Sequence, residues 1–178
     1  DLPVFTISSA ADSNANEEGL DAVTGTTGLT VNTADDAATF TITRTGLTEV
    51  EGSVVVTVGA SSAAGDNDIE VADIQSLQYY DGSAWQNFNS GDAITVAVGG
   101  ASKDVAIRVI ATDDSIYENV EGFDVTISTP VAGTLGATTT VSGTITDIGD
   151  PVTDLPVFTI SSAADSNANE EGLDAVTG

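Results

Sequence analysis

The stretch KDVAIRVIATDDSIYENVEGFDVTIS, residues 103–128, contains two runs in which apolar and polar residues alternate. The apolar members are Val105, Ile107 and Val109 in the first run and Phe123, Val125 and Ile127 in the second. Side chains of a β-strand point to opposite faces in turn, so each run predicts a strand with one buried face. A turn rich in carboxylates joins the two predicted strands.

The same alternation recurs along the chain and predicts further half-buried strands. The apolar positions are Phe5 and Ile7, Phe40 and Ile42, Val54, Val56 and Val58, and Val141 and Ile145. Turn signals separate the runs at Thr45-Gly46, Asp81-Gly82, Ser90-Gly91 and Gly99-Gly100. No window has a sustained helical period. We therefore expect an all-β, antiparallel, Ig-like sandwich of about 7–9 strands with little helix.

An internal repeat sets the domain organisation. Residues 154–178 repeat residues 1–25 letter for letter, which gives a period of 153 residues. That period is too long for a solenoid unit and fits whole domains strung end to end. We expect one sandwich over residues 1–150, and in residues 151–178 a linker with the first strand and loop of the next identical repeat. The two copies compete for one strand position, so one docks while the other projects or pairs with a neighbouring molecule.

The charge of the chain excludes several classes of partner. There are 28 acidic residues against three basic ones, a formal net charge of −25. Nucleic acid and anionic membrane surfaces would be repelled by such a body, and no apolar run is long enough to insert into a membrane. The self-repulsion must be offset, and a divalent cation is the obvious candidate.

The absence of Cys, His and Met limits the chemistry. It removes thiol nucleophiles, the Ser-His-Asp arrangement and the usual ligands of zinc, copper and haem. A carboxylate pair for glycoside hydrolysis would need an aromatic-lined cleft, which one tryptophan hardly supplies. We therefore expect no enzyme activity.

The acidic residues are clustered in predicted loops, where they suggest Ca²⁺ sites. The candidate ligands are Glu17, Glu18, Asp113, Asp114, Glu118, Glu121, Asp147 and Asp150, with Asp66 and Asp68 as weaker candidates in a group that extends to Asp73. Calcium takes six to eight oxygen ligands in flexible geometry, which a folded acidic loop provides. The alternative is that each cluster is only a solvated face. Val71 stands where an EF-hand loop needs glycine, so that motif is excluded.

An aromatic group flanks the predicted Asp81-Gly82 turn. It consists of Tyr79, Tyr80 and Trp85 and suggests a hairpin. These side chains either pack within the hairpin and core or bind the face of a sugar.

The chain resembles the Calx-β family and the related extender repeats of large bacterial RTX-type adhesins. The resemblance lies in ATFTITRTG (38–46), YYDGSAW (79–85), ITVAVGGASKDVAIRVIATDDSIYENVEGFDVTIS (94–128), GTITDIGD (143–150) and the opening VFTISSAADSNANEEG (4–19). It implies calcium sites at one end of the sandwich, near the junction between tandem domains. Its ligands would be Glu17 or Glu18, Asp113, Asp114, Glu118, Glu121 and Asp147, and it implies an extracellular location on a bacterial cell surface.

These observations predict a spacing function. Calcium bound where Asp147 and Asp150 meet the first loop of the following repeat would stiffen the linker between identical repeats. The alternative is an adhesive module that binds a glycan or a surface through Tyr79, Tyr80 and Trp85.

Overall fold

The computed structural model describes residues 2–10, 13–17, 37–46, 49–61, 72–112, 119–146 and 158–160. Within these ranges the regular structure is entirely β, and no helix is long and apolar enough to cross a membrane. The strands are β1 (Val4–Ser9), β2 (Asn14–Asn16), β3 (Ala37–Thr45), β4 (Gly52–Ala60), β5 (Ile74–Tyr80), β6 (Trp85–Phe88), β7 (Ala93–Val96), β8 (Ser102–Ala111), β9 (Glu121–Val131), β10 (Thr134–Leu135) and β11 (Thr140–Thr146).

The strands form two sheets that pack as a sandwich, as the alternation predicts. The first sheet has the order β10-β1-β3-β8-β5-β6, and the second has the order β2-β11-β9-β4-β7. Most neighbours are antiparallel, but β1 pairs with β10 and β2 pairs with β11 in parallel. Both parallel pairs involve the beginning of the chain, which starts in the first sheet and continues in the second.

Two very short strands account for the difference in strand number from the predicted seven to nine. The described residues contain eleven strands, of which β2 has three residues and β10 has two. Neither contains the several alternating residues that a periodic pattern needs. They form because longer partners, β11 and β1, present backbone groups beside them.

The core lies between the two sheets and contains the alternating apolar residues that the sequence pattern singled out. Phe40 of β3 packs edge-to-face on Phe123 of β9, with ring centroids 5.8 Å apart, so the two sheets meet through these rings. The predicted inward rows are buried on both β8 and β9. Gly52 and Gly133 make room for Phe5. A Cβ at Gly52 would lie 2.7 Å from the Phe5 ring, and one at Gly133 would also overlap it.

The two copies of the repeated segment have different environments. Phe5 of the first copy is fully buried in β1, between β10 and β3, and Ile7 is buried with it. In the second copy, Phe158 and Ile160 are 91% and 101% exposed, outside any strand. The first copy therefore fills the strand position. Exchange of the second copy with another molecule stays a prediction.

The sandwich has two chemically different ends. The entry pole is the end where β1 begins. Pro3 and Gly46 lie there in contact with each other, and Val96 lies there because it pairs with Gly52 at the start of β4. The acidic pole is the opposite end, where β2, β4, β8 and β11 end and β5 and β9 begin. A chain that follows β11 into another repeat leaves from the acidic pole.

The identical copies offer a matched test of the strand position. Phe5→Ala should lower the free energy of unfolding by about 3–5 kcal/mol, because it removes a buried ring from the core. Phe158→Ala, the same substitution in the same local sequence, should change it by less than about 0.5 kcal/mol. Urea unfolding of both variants measures the difference. Equal destabilisation would mean that the second copy also occupies the core position.

Candidate functional site

The end of β11 brings two of the predicted calcium ligands to the acidic pole. The backbone N–H of Glu17 donates to Thr146 O at 3.1 Å, in continuation of the parallel pairing of β2 with β11. On the other side of β11, Glu121 pairs with Ile145. Glu17 is buried and Glu121 is half-buried. Both therefore flank the point where the chain continues into Asp147.

The described residues that flank two further acidic segments lie at the same pole. Ser61, which precedes residues 62–71, donates its backbone N–H to Gly122 O at 3.1 Å and so lies beside Glu121. Thr112, which precedes residues 113–118, donates its backbone N–H to Asp73 O at 2.9 Å. Asp73, the last member of the weaker acidic group, is buried. The anchors of all four acidic segments are thus at one end of the sandwich.

The donor chemistry at this pole fits a hard cation. Glu17, Asp73 and Glu121 offer carboxylate oxygens, the ligands that calcium prefers, and the chain has no His or Cys to favour a softer metal. Within the described ranges, no three carboxylates lie close enough together to hold an ion. The remaining predicted ligands, Glu18, Asp66, Asp68, Asp113, Asp114, Glu118, Asp147 and Asp150, lie outside the described residues. The ligand set therefore stays a prediction.

The position of Glu17 bears on the predicted junction between repeats. Glu17 lies next to Thr146 of its own repeat, one sandwich length from the entry pole. β1 begins at the entry pole, so the crossing from β1 to β2 carries the chain to the opposite end of its own repeat. Asp147, Asp150 and the first loop of the next repeat lie outside the described residues, so their meeting at a junction stays a prediction.

Asp124 is an acidic residue of β9 that lies between Phe123 and Val125 in the alternating run. Its Oδ1 accepts hydrogen bonds from Ser61 Oγ at 3.1 Å and from Ser142 Oγ at 2.6 Å. It therefore joins β4, β9 and β11 on the outer face of the second sheet. Two serines distant in sequence supply the donors, so no local pattern could have indicated this role.

The aromatic residues of the β5–β6 hairpin divide between the core and the outer face. Tyr79 lies against Phe88, with ring centroids 6.4 Å apart, and packs on the core. Tyr80 and Trp85 face outward with centroids 5.5 Å apart, and the Arg108 guanidinium lies 4.2 Å from the Trp85 ring centroid. Arg108 Nε donates to Gln78 Oε1 at 2.8 Å, and partial burial lowers the pKa of this guanidinium. The outer group, Tyr80, Trp85 and Arg108, is called the aromatic patch below.

The turn of this hairpin is organised by Asp81. Its Oδ1 accepts hydrogen bonds from Ser83 N, Ser83 Oγ and Ala84 N at 2.7–2.9 Å, and its Oδ2 accepts one from Gln86 Nε2 at 2.9 Å. Gly82 supplies the positive φ of 100° that the turn requires. These bonds, led by that from Ala84, hold the pKa of the Asp81 carboxyl well below its usual range.

Comparisons with known proteins identify the fold and no family. No protein-family model and no curated protein matches the sequence. Among solved structures, the chain is similar to the apo-form Calx CBD1 domain, with a TM-score of 0.50 and 12% identity over 84% of this chain and 100% of that domain. It also matches CBD12 of CALX1.2, at a TM-score of 0.45 and 14% identity over 75% of this chain. The calcium binding domain CBD12 of CALX1.1 matches at a TM-score of 0.46 and 12% identity over 79%.

The chain spans 40% and 44% of the lengths of the two CBD12 structures. At these identities the likeness concerns the arrangement of strands alone. The likeness to the CBD1 domain agrees with the predicted Calx-β-like sandwich.

The bonds to Asp81 predict a pH dependence. The carboxyl's folded pKa is lowered, so its contribution to stability is present above its ordinary pKa of 3.8 and is lost progressively as the pH falls below that value. Asp81→Asn removes the titration. The difference in urea midpoint between the parent and D81N should therefore shrink from pH 7 to pH 2.5. A constant difference across that range would contradict the assignment.

Proposed function

We propose that this chain is a structural extender repeat in a tandem array of β-sandwiches, stiffened by Ca²⁺ at the acidic pole. The observation that carries the proposal is that the buried Glu17 and the half-buried Glu121 flank the end of β11, with Asp73 at the same end of the sandwich. The strand from which the chain continues thus ends beside two of the candidate oxygen donors. An ion bound there restrains the linker and also offsets the repulsion within a body of net charge −25.

The tandem arrangement supports length as the function. Residues 1–25 and 154–178 are identical, and near-identical units add length without adding new recognition surfaces. The resemblance to extender repeats of bacterial adhesins favours an extracellular location on a bacterial cell surface. In this role the chain has no catalytic residues, and its partners are the neighbouring repeats of the same chain.

Calcium dependence of stability tests the proposal. At about 100 times its Kd, calcium should stabilise the chain by about 2.7 kcal/mol and raise the melting temperature by about 5–10 °C relative to chelator. Calorimetry with calcium, magnesium or chelator measures the shift. Equal melting temperatures in calcium and chelator would sink the proposal.

Three carboxylate-to-amide variants locate the ion. Glu17→Gln and Glu121→Gln should each reduce the calcium-dependent shift by at least half, because each removes a charged ligand at the acidic pole. Glu51→Gln removes the same charge from an exposed position beside the entry pole and should leave the shift unchanged. Equal effects of all three variants would indicate general charge screening instead of a site.

The aromatic patch favours a second candidate function, the binding of a glycan. Tyr80 is 39% exposed beside Trp85, and Arg108 and Gln78 add hydrogen-bonding groups next to the rings. An aromatic face with polar neighbours suits the apolar and hydroxyl faces of a sugar. Binding on a glycan array that Trp85→Ala abolishes would support this candidate. If no glycan on the array binds, the extender function is the only candidate that remains.

A further inference from the structure

Exposed apolar side chains collect at the entry pole. Leu2, Val50, Val98 and Val131 are between 46% and 63% exposed. They lie at the start of β1, in the β3–β4 connection, after β7 and at the end of β9, which are neighbouring positions at this end. We call these four side chains the entry surface. A group of large apolar side chains at one end of a module suggests a contact surface.

A buried arginine holds two parts of the entry surface in place. Arg44 continues the inward row of β3 and is 1% exposed. Its Nη1 donates to Val96 O at 3.1 Å and lies 3.5 Å from Val50 O. Its Nε and Nη2 make no hydrogen bond within the part of the chain that the structure describes.

Burying a guanidinium with so few bonds is costly, so its position needs a compensating role. The bonds that Arg44 does make hold the backbone at Val50 and at Val96, two residues before Val98. The cation therefore fixes the backbone at one residue of the entry surface and close to a second.

The chain's own connectivity identifies what faces this surface. A repeat ends with β11 at the acidic pole, and the next copy of Leu2 is Leu155. Eight residues separate Thr146 from Leu155, so the acidic pole of one repeat lies within about 32 Å of the next repeat's first residues. A short tether of this kind gives an effective concentration in the millimolar range. Weak apolar contacts then suffice for association.

We propose that the entry surface packs against the acidic pole of the preceding repeat, where Val120 is 55% exposed. This inference rests on the tandem arrangement of the proposed function and names the partner of its acidic pole. Glu49 and Glu51 flank Val50 and would face the carboxylates of that pole. Calcium at the acidic pole removes this repulsion, so the contact forms in calcium and weakens in chelator.

Distances between labels in a chain of two complete 153-residue periods test the contact. Thr57 is exposed midway along β4, away from the entry surface, and the chain has no native cysteine, so Thr57→Cys in both repeats gives two specific spin-label sites. In calcium, the parent should give one narrow distance distribution. Val50→Ser with Val98→Ser in the second repeat should broaden it at least twofold, because the second entry surface faces the first repeat.

The matched control is the same pair of substitutions in the first repeat. In the first repeat the entry surface has no repeat before it, so the distance distribution should keep the parent width. This control makes the same local change to a sandwich without affecting the contact between repeats. Val131→Ser alone provides a milder variant, and melting curves check that both repeats stay folded. Equal widths for first-repeat and second-repeat variants would overturn the inference.

A chelator arm separates this inference from the proposed function. Suppose that chelator broadens the distance distribution but the second-repeat variants do not. This result would support calcium stiffening and refute the apolar contact. Suppose instead that chelator changes neither the width of the distribution nor the melting temperature, and that only the second-repeat variants broaden the distribution. This result would refute calcium stiffening and support the apolar contact. The full inference requires that each change broadens the distribution.

Discussion

The placement of residues 4–17 across both sheets is the constraint on which the rest of the structure depends. β1 fills a position in the first sheet between β10 and β3, and β2 then adds to β11 in the second sheet. This crossing sends the chain from the entry pole to the acidic pole within its first seventeen residues. It sets Glu17 beside Thr146, and it leaves the start and the end of the repeat at opposite ends of the sandwich. That arrangement suits the proposed end-to-end array.

The strands could be predicted because a half-buried sheet imposes a strict period of two. Phe40 and Ile42, and the rows of β8 and β9, lie inside as their parity requires. The same parity also directs Arg44 inward, against the preference of a cation for water. The carbonyls of Val50 and Val96 accept its hydrogen bonds. Val96 belongs to β7, which is distant from Arg44 in sequence, so a local pattern could not predict this partner.

The candidate site could be predicted in its chemistry and only partly in its arrangement. The clusters of carboxylates are visible in the sequence, and the strand ends bring their anchors to one pole. The crossing between sheets leaves no periodic signal, so the position of Glu17 beside Thr146 of its own repeat could not be predicted. Identical sequences also carry no information on which copy docks; burial of Phe5 and exposure of Phe158 distinguish them.

The identity of the two copies has a consequence for how an array assembles during synthesis. Every first strand in such an array fits every vacant strand position, so only tether length distinguishes the correct partner from a wrong one. For the segment at Val157 to enter the position of Val4, the ten residues after Thr146 must span the sandwich lengthwise. The strand rise makes that distance about 35 Å, close to the limit of about 36–40 Å for a fully extended chain. In an array of such repeats, closure with the successor's strand would therefore require an almost fully extended linker, at a large cost in conformational entropy.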